Sequence, residues 1–262
     1  MGILNVTPDS FSDGGRHATP AAALERSREM IGEGAEIIDI GGESTRPGAP
    51  EIPADEEIAR TVPLIATLRA EWDGLISIDT SKPAVAAAAM AAGADIINDV
   101  NGLRREGMAE VCLRYRAAAV VMHMQGTPRT MQHSPHYEDV VAEVRAFFAE
   151  RLATLTALGI SPEALVFDPG IGFGKTVAHN LTLLRNVRDL GVAGRPLLIG
   201  VSRKSFIGQI LGSQDLAVRE WPTVALTAST REAGAMLHRV HQVLPNVQAL
   251  RMTEAILATA AV

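Results

Sequence analysis

The feature that most constrains the fold is the regular alternation of short apolar segments with longer amphipathic ones along all 262 residues. The short segments are rich in Ile, Val and Leu and are continuously apolar, which is typical of strands buried on both faces of a parallel sheet. The predicted strands are Gly2–Val6, Glu36–Ile40, Leu75–Asp79, Asp95–Asp99, Ala118–His123, Ala164–Asp168, Pro196–Ser202 and Leu237–His241. The predicted helices between them include Ala21–Gly32, Ala54–Glu71, Pro83–Ala92 and Tyr137–Leu158.

Eight strand–helix units in one chain predict an α/β fold, a (β/α)8 barrel with eight parallel strands in a closed sheet. No linker-like segment divides the chain, so we expect one domain over residues 1–262. The net charge of −6 argues against broad nucleic-acid binding, which needs a basic face. A single cysteine, Cys112, excludes an internal disulfide. No membrane span or secretory signal is visible, so we expect a cytoplasmic protein.

Every predicted strand ends in a polar or charged residue. In a (β/α)8 barrel the active site lies at the carboxyl ends of the strands. Helix capping explains one or two such residues, but eight of eight are better explained by a ring of functional groups. The residues at these ends are Asn5, Asp39, Asp79, Asn98 with Asp99, His123, Asp168, Ser202 with Arg203 and Lys204, and Arg239 with His241.

The glycine-rich string after the sixth strand ends in Gly174-Lys175-Thr176, like a phosphate-binding P-loop. That motif requires a glycine at position 169, where a proline stands, so a P-loop ATPase is disfavoured. The glycines also lack the spacing of a dinucleotide-binding loop. We expect this turn to let the backbone approach a flat ligand, with Asp168 offering two acceptors to an amidine-like edge.

Basic residues follow the seventh and eighth strands, where barrel enzymes often bind phosphate. Lys204 and Arg239 therefore predict an anion site, whereas a solvated turn remains an alternative for Arg203. The loops after the first two strands are long and rich in Gly and Pro, so Asp13 and Arg46 can act only if these loops close over the site.

Together these strings resemble the dihydropteroate synthase family of pterin-binding enzymes, from residue 1 to about residue 255. Several of the strings are long and specific to that family. They are GILNVTPDSFSDGG at 2–15, GESTRPG at 42–48, IDTSKP at 78–83, INDV at 97–100, MHMQG at 122–126, DPGIGFGK at 168–175, SRKS at 202–205 and RVH at 239–241.

The resemblance implies a (β/α)8 barrel that joins 6-hydroxymethyl-7,8-dihydropterin diphosphate to p-aminobenzoate in folate biosynthesis. Pyrophosphate leaves with the help of Mg²⁺, and the amine attacks the cationic methylene carbon of the pterin, so no protein nucleophile is needed. The resemblance also implies Mg²⁺ as the cofactor, small-molecule substrates as partners, a homodimer, and inhibition by sulfonamides.

Residue roles are likewise implied by the resemblance. Those expected to bind the pterin are Asp79, Asn98, Met122, Asp168 and Lys204. Those expected at the diphosphate are Asn5, Arg239 and His241, with Asn5 also a ligand of Mg²⁺. Those expected at p-aminobenzoate are Phe11, Thr45, Arg46, Pro47 and Ser205. The expected catalytic residues are Asp79, Lys204, Asp13 and Arg46.

The chain departs from the family pattern in three places. The sequence begins at the predicted first strand, where the family usually has a leading segment, and Gln242 stands where the family usually has Asp. Residues 219–230 replace a helix of small apolar residues on the family's dimer surface, and Pro222 would end or kink a helix there unless it lies in the first turn.

Two alternative functions remain open. A methyltetrahydrofolate–corrinoid methyltransferase would share the pterin residues but has no need for residues 44–48 and 202–205. A catalytically weakened homologue would bind pterin or act as a partner subunit.

Overall fold

The computed structural model describes residues 1–7, 19–44, 50–127, 130–131 and 134–259. In these residues the strands are β1 (Gly2–Asn5), β2 (Ile37–Gly41), β3 (Leu75–Asp79), β4 (Ile96–Asp99), β5 (Ala118–Met122), β6 (Leu165–Asp168), β7 (Leu198–Ile199) and β8 (Leu237–His238). The helices are α1 (Pro20–Gly32), α2 (Ala54–Glu71), α3 (Pro83–Ala91), α4 (Met108–Tyr115), α5 (Val140–Ala157), α6 (Val177–Arg185), α7 (Val187–Leu190), α8 (Ser205–Leu211), α9 (Glu220–Glu232) and α10 (Val243–Leu257). None of the helices in these ranges has the length and apolar character needed to cross a membrane.

The strands form a closed ring. Strands β1 to β6 pair in parallel in chain order, and β7 pairs with β8. Two further parallel bridges complete the ring, from Phe167 to Leu197 and from Gly2 to Val240. The backbone N–H of Ile3 donates to the carbonyl of Val240 at 2.9 Å across the closing seam. The (β/α)8 barrel predicted from the sequence is therefore confirmed.

Strands β7 and β8 are shorter than predicted. Each has two residues in the ladder that pairs β7 with β8, and beyond it Val240 keeps only an isolated bridge to Gly2. The N–H of Lys204 closes a turn onto the carbonyl of Val201, and the Ser202 side chain bonds to residue 241. The predicted ends of these strands are therefore loops that carry site residues.

An apolar plug fills the inside of the barrel directly below the candidate functional site. Ile37, Ile96, Val120 and Leu198 form a buried cluster within the ring, separate from the main core outside it. Side chains along a strand alternate between its faces, so the residue two positions later also points inward. On five strands this step leads from a residue of the plug, or from one packed against it, to a polar or Met side chain. The steps are Ile37 to Asp39, Ile96 to Asn98, Val120 to Met122, Val166 to Asp168, and Leu237 to Arg239.

The helices begin where their sequences favour it. Helix α2 carries Asp55, Glu56 and Glu57 in its first turn, where acidic side chains complement the helix dipole. Helix α9 begins at Glu220 and places Pro222 in its first turn, where the missing N–H has no intrahelical acceptor. Residues 220–232 therefore form a helix despite the proline.

Two leucines of the fifth helical segment provide a matched test of the core. Leu155 is fully buried, whereas Leu158 at the helix end is 54% exposed. We expect Leu155→Ala to lower the free energy of unfolding by about 2–5 kcal/mol, because it leaves a cavity in a packed core. Leu158→Ala should change it by about 0.5 kcal/mol or less. Urea unfolding of both variants checks this, and equal effects would contradict the packing described.

Candidate functional site

An ion triad spans the mouth of the barrel. Arg239, after β8, donates from Nε to Asp39 Oδ2 at 2.5 Å and from a terminal nitrogen to Asp79 Oδ2 at 2.6 Å. Asp39 was predicted at the end of the second strand, but it is the third residue of β2 and is fully buried. One guanidinium thus bridges two carboxylates from neighbouring strands.

The charged groups of the triad shift one another's pKa values. Burial raises the pKa of Asp79 to about 7, with Arg239 opposing the rise and Asp39 adding to it. Burial lowers the pKa of Arg239, but Asp39 and Asp79 outweigh this effect and raise it above its usual value. Asp79 Oδ1 is buried and has no hydrogen-bond partner among the described residues. The site therefore holds an acceptor for a ligand's N–H group.

Strand register brings the predicted pterin residues together. Asp79 lies opposite Asn98, and Met122 lies opposite Asp168, in the parallel ladders of β3 to β6. Asn98 Nδ2 donates to Asp39 Oδ2 at 3.2 Å. Asp168 Oδ1 accepts from the Gly170 N–H at 2.7 Å, and burial raises the pKa of Asp168. Polar and apolar side chains thus line one continuous floor.

Lys204 lies against the glycine-rich loop that follows β6. Its ammonium is 3.9 Å from the centroid of the Phe173 ring. A Cβ added to Gly172 would lie 3.1 Å from Lys204 Cδ, so the lysine chain crosses the bare Cα of this glycine. Burial lowers the pKa of Lys204 to about 8, with Arg239 adding to the fall and Asp168 opposing it. The sequence pattern does not mark Phe173 as a site residue. The signal that could have indicated it is its place in the glycine-rich string.

Two glycines of this loop pack closely on the preceding strand's loop. Gly170 and Gly174 adopt φ values of +65° and +58°. A Cβ on Gly170 would lie 2.0 Å from the carbonyl oxygen of His123, and one on Gly174 would lie 2.7 Å from that of Gln125. Close packing on the segment after β5 therefore requires glycine at both positions, and the approach of this turn to a flat ligand stays a prediction.

The predicted diphosphate residues belong to β1 and to the segment after β8. His241 Nδ1 is 2.9 Å from Ser202 Oγ, which also accepts from the His241 N–H. A Cβ on Gly41 would lie 3.3 Å from Asn5 Oδ1 and 3.7 Å from Asp79 Oδ2. Asn5 and Asp79 therefore present oxygens on either side of Gly41.

The oxygens of Asn5 and Asp79 fit a hard cation. Mg²⁺ usually takes one or two protein oxygens and completes its shell with water and substrate phosphate. In the described ranges no group of three or more His, Cys, Asp or Glu side chains is arranged to hold a metal ion.

Three residues of the predicted ring make contacts that hold neighbouring loops or helices. Arg203 forms an ion pair with Glu220 and faces α9. Asp99 accepts from the N–H groups of Asn101 and Leu103, and so caps a turn. His123 contacts Lys175 beneath the glycine-rich loop.

The remaining predicted residues concern the amine substrate. Ser205 begins α8 and lines a cavity of about 370 Å³ together with Gly172 and Gln209. The others, Phe11, Asp13, Thr45, Arg46 and Pro47, lie outside the described residues.

Known proteins resemble this chain over nearly its whole length. The pattern of the family described as pterin binding enzyme matches residues 1–241. A dihydropteroate synthase of Synechocystis sp. is 45% identical over 257 residues, which is 98% of this chain and 89% of the relative. A Yersinia pestis dihydropteroate synthase solved with a sulfonamide drug complex has a TM-score of 0.95 and 44% identity, and the match covers 99% of this chain and 94% of that one. The Xanthomonas albilineans enzyme in complex with 7,8-dihydropteroate has a TM-score of 0.89 and 42% identity, with 99% and 93% covered.

The raised pKa of Asp79 predicts a pH-dependent effect of Asp79→Asn. Between pH 4 and about 7 the folded protein keeps a proton that the unfolded chain releases, so this group's contribution to stability falls as the pH rises. Asparagine cannot ionise. The variant should therefore gain about 2–3 kcal/mol relative to wild type between pH 5 and pH 8.

Urea unfolding at both pH values measures this gain. The exposed Asp189→Asn is the control, and it should show no pH-dependent difference from wild type. A difference between Asp79→Asn and wild type that stays constant with pH would contradict the assignment.

Proposed function

The chain belongs to the pterin-binding enzyme family, among the dihydropteroate synthases, which are transferases, and we propose that it condenses 6-hydroxymethyl-7,8-dihydropterin diphosphate with p-aminobenzoate. The observation that carries this proposal is the floor of Asp79, Asn98 and Asp168 beside Lys204. A relative with this architecture was solved with the reaction product, 7,8-dihydropteroate.

The buried floor suits the pterin ring. The amino and N–H groups of the ring edge are donors, and a buried carboxylate such as Asp168 accepts them strongly. The unpartnered Oδ1 of Asp79 accepts another donor, which stabilises its charged form when the ring is bound. Lys204 donates to ring acceptors, and Met122 packs against the flat ring from its small apolar cluster.

The cationic side of the mouth suits the diphosphate. Arg239 offers charge-assisted hydrogen bonds to phosphoryl oxygens. Ser202 orients His241 through its ring nitrogen and its backbone N–H. Asn5, with Asp79 nearby, would hold Mg²⁺, which when bound offsets the charge of the departing pyrophosphate.

The amine then attacks without help from a protein nucleophile. An aromatic amine is neutral at physiological pH, so no strong base is needed to activate it. Asp79 and Asp13 would stabilise positive charge on the pterin methylene. Phe11, Thr45, Arg46, Pro47 and Ser205 would bind p-aminobenzoate, and Ser205 lies directly beside Lys204.

The departure at Gln242 leaves the described site intact. Gln242 is the N-cap of α10, and its contribution is a carbonyl that accepts from Asn246. Arg239 is held by Asp39 and Asp79, and His241 by Ser202. These contacts favour an active synthase over a weakened homologue.

Pyrophosphate release tests the proposal directly. We expect release to require both p-aminobenzoate and Mg²⁺. Lys204→Ala should lower kcat/KM by about 100-fold or more, because a preorganised cation is lost from the site. The exposed Arg114→Ala removes a cation elsewhere and should leave the rate unchanged.

A sulfonamide should compete with p-aminobenzoate in the same assay. Inhibition constants far above the KM for p-aminobenzoate would contradict the proposed amine site. Binding of the pterin without any pyrophosphate release would favour the weakened homologue.

We also propose that the chain forms a homodimer through α9 and α10. In the described part of the chain these helices expose Trp221 (77%), Met252 (65%) and Ile256 (66%). Met252 and Ile256 are four positions apart on α10 and so share one face, and an exposed apolar face is typical of protein interfaces. Light scattering should therefore give twice the chain mass of 27.8 kDa.

Ile256→Asp should reduce the measured mass to that of the monomer, because it places a charge in the apolar face. Leu181→Asp, at an exposed position of α6, should not change it. A wild-type monomer, or a dimer that survives Ile256→Asp, would refute this interface.

A further inference from the structure

Lysine is rare in this chain and occurs only next to the site. Three of the 24 basic residues are lysines, namely Lys82, Lys175 and Lys204, and they follow β3, β6 and β7. Lys82 pairs with Glu43 and Glu57, and Lys204 is assigned to the pterin. Lys175 has no part in the proposed reaction, although it is only 3% exposed.

The ammonium of Lys175 lies among three acceptors. They are the Phe173 carbonyl at 3.0 Å, His123 Nδ1 at 3.1 Å and the His123 carbonyl at 3.5 Å. Burial lowers the pKa of Lys175 to about 7, and in its protonated form the three N–H donors match this set in number. Burial lowers the pKa of His123 to about 3, which keeps its ring neutral and able to accept at Nδ1. Lys175 therefore joins the segment after β5 to the glycine-rich loop.

That loop forms the surface on which Lys204 lies. Gly172 contacts the lysine chain, and the ring of Phe173 lies under its ammonium. The carbonyl that Lys175 holds belongs to Phe173 itself. A second tether comes from the Tyr137 hydroxyl, which donates to the Gly174 carbonyl at 2.9 Å.

We propose that Lys175 is a positioning residue that fixes the 170–174 loop, so that Gly172 and Phe173 aim Lys204 at the pterin. Lysine has a long and flexible side chain, and orientation in advance of binding reduces the entropy lost when substrate arrives. The catalytic consequence rests on the proposed function of Lys204, whereas the positioning itself does not. This role accounts for a Gly-Lys-Thr string in a chain without a P-loop.

Lysine-specific NMR tests the positioning without any substrate. A protein labelled at lysine gives three sets of ε-methylene signals, which substitution of each lysine assigns. The ring of Phe173 should shift the Lys204 signals upfield, and Phe173→Leu should abolish that shift. We expect Lys175→Met to remove more than half of it, because the loop loses its central tether.

Arg69→Met is the matched control at the other end of the barrel. Arg69 likewise holds backbone carbonyls, those of Trp72, Gly74 and Gly93. Its loss should leave the Lys204 signals in place. An unchanged Lys204 signal in folded Lys175→Met would overturn the proposal.

Calorimetric binding of 6-hydroxymethyl-7,8-dihydropterin diphosphate tests the consequence. Lys175→Met should raise Kd by about 10-fold in the wild-type background, as supporting residues of a site commonly do. In a Lys204→Gln background the same change should raise Kd by less than about twofold, since residues that act through one another are not additive. Equal losses in both backgrounds would mean a merely structural role and would overturn the proposal.

The two experiments also separate this proposal from the proposed function. If the wild-type protein does not bind the pterin diphosphate, the proposed function fails, while the NMR result still decides the positioning. If Lys175→Met does not fold, Tyr137→Phe removes the second tether with little change in volume. It should reduce the Lys204 shift in the same direction by a smaller amount, and no reduction would overturn the proposal.

Discussion

The contact of Arg239 with Asp39 and Asp79 organises the mouth of the barrel. It joins β8 to β2 and β3 across β1, directly above the apolar plug. Burying one cation with two carboxylates costs solvation free energy, which the paired and hydrogen-bonded groups offset only in part. The cost remains as a carboxylate with a raised pKa and an unpartnered oxygen at Asp79. The mouth is thereby prepared for a ligand that brings N–H donors and an anionic group.

The walls of the site are held in place by contacts between protein groups. Gly170 and Gly174 pack so closely on the backbone after β5 that a Cβ at either position would collide with it. This packing places Gly172 and Phe173 against Lys204. The loop is therefore held by packing within the protein, and the residues that it carries form a wall of the site. Conformational freedom that a flexible lysine would lose on binding is already removed in the folded protein.

Much of the candidate site could be predicted from strand ends alone. Asn98 and Asp168 follow inward-facing apolar residues by two positions, as an alternating strand requires, and Asp79 stands at the end of β3 opposite Asn98. Asp39 was placed wrongly because apolar residues flank it on both sides, and the pattern does not mark where β2 ends. Phe173 was missed because a single aromatic residue in a glycine-rich turn has no periodicity. Its importance comes from Lys204, which is 31 positions later in the sequence.

The sequence by itself determined the number and order of the strand–helix units, and it determined which chemical groups stand at the strand ends. Those features depend on local alternation and burial, which a linear pattern records. Only the tertiary structure decided which groups meet. Arg239 reaches carboxylates 200 and 160 positions away, because closure of the ring brings β8 beside β1. Whether a glycine faces a ligand or a neighbouring backbone also depends on loop packing, since the same residue type satisfies both requirements.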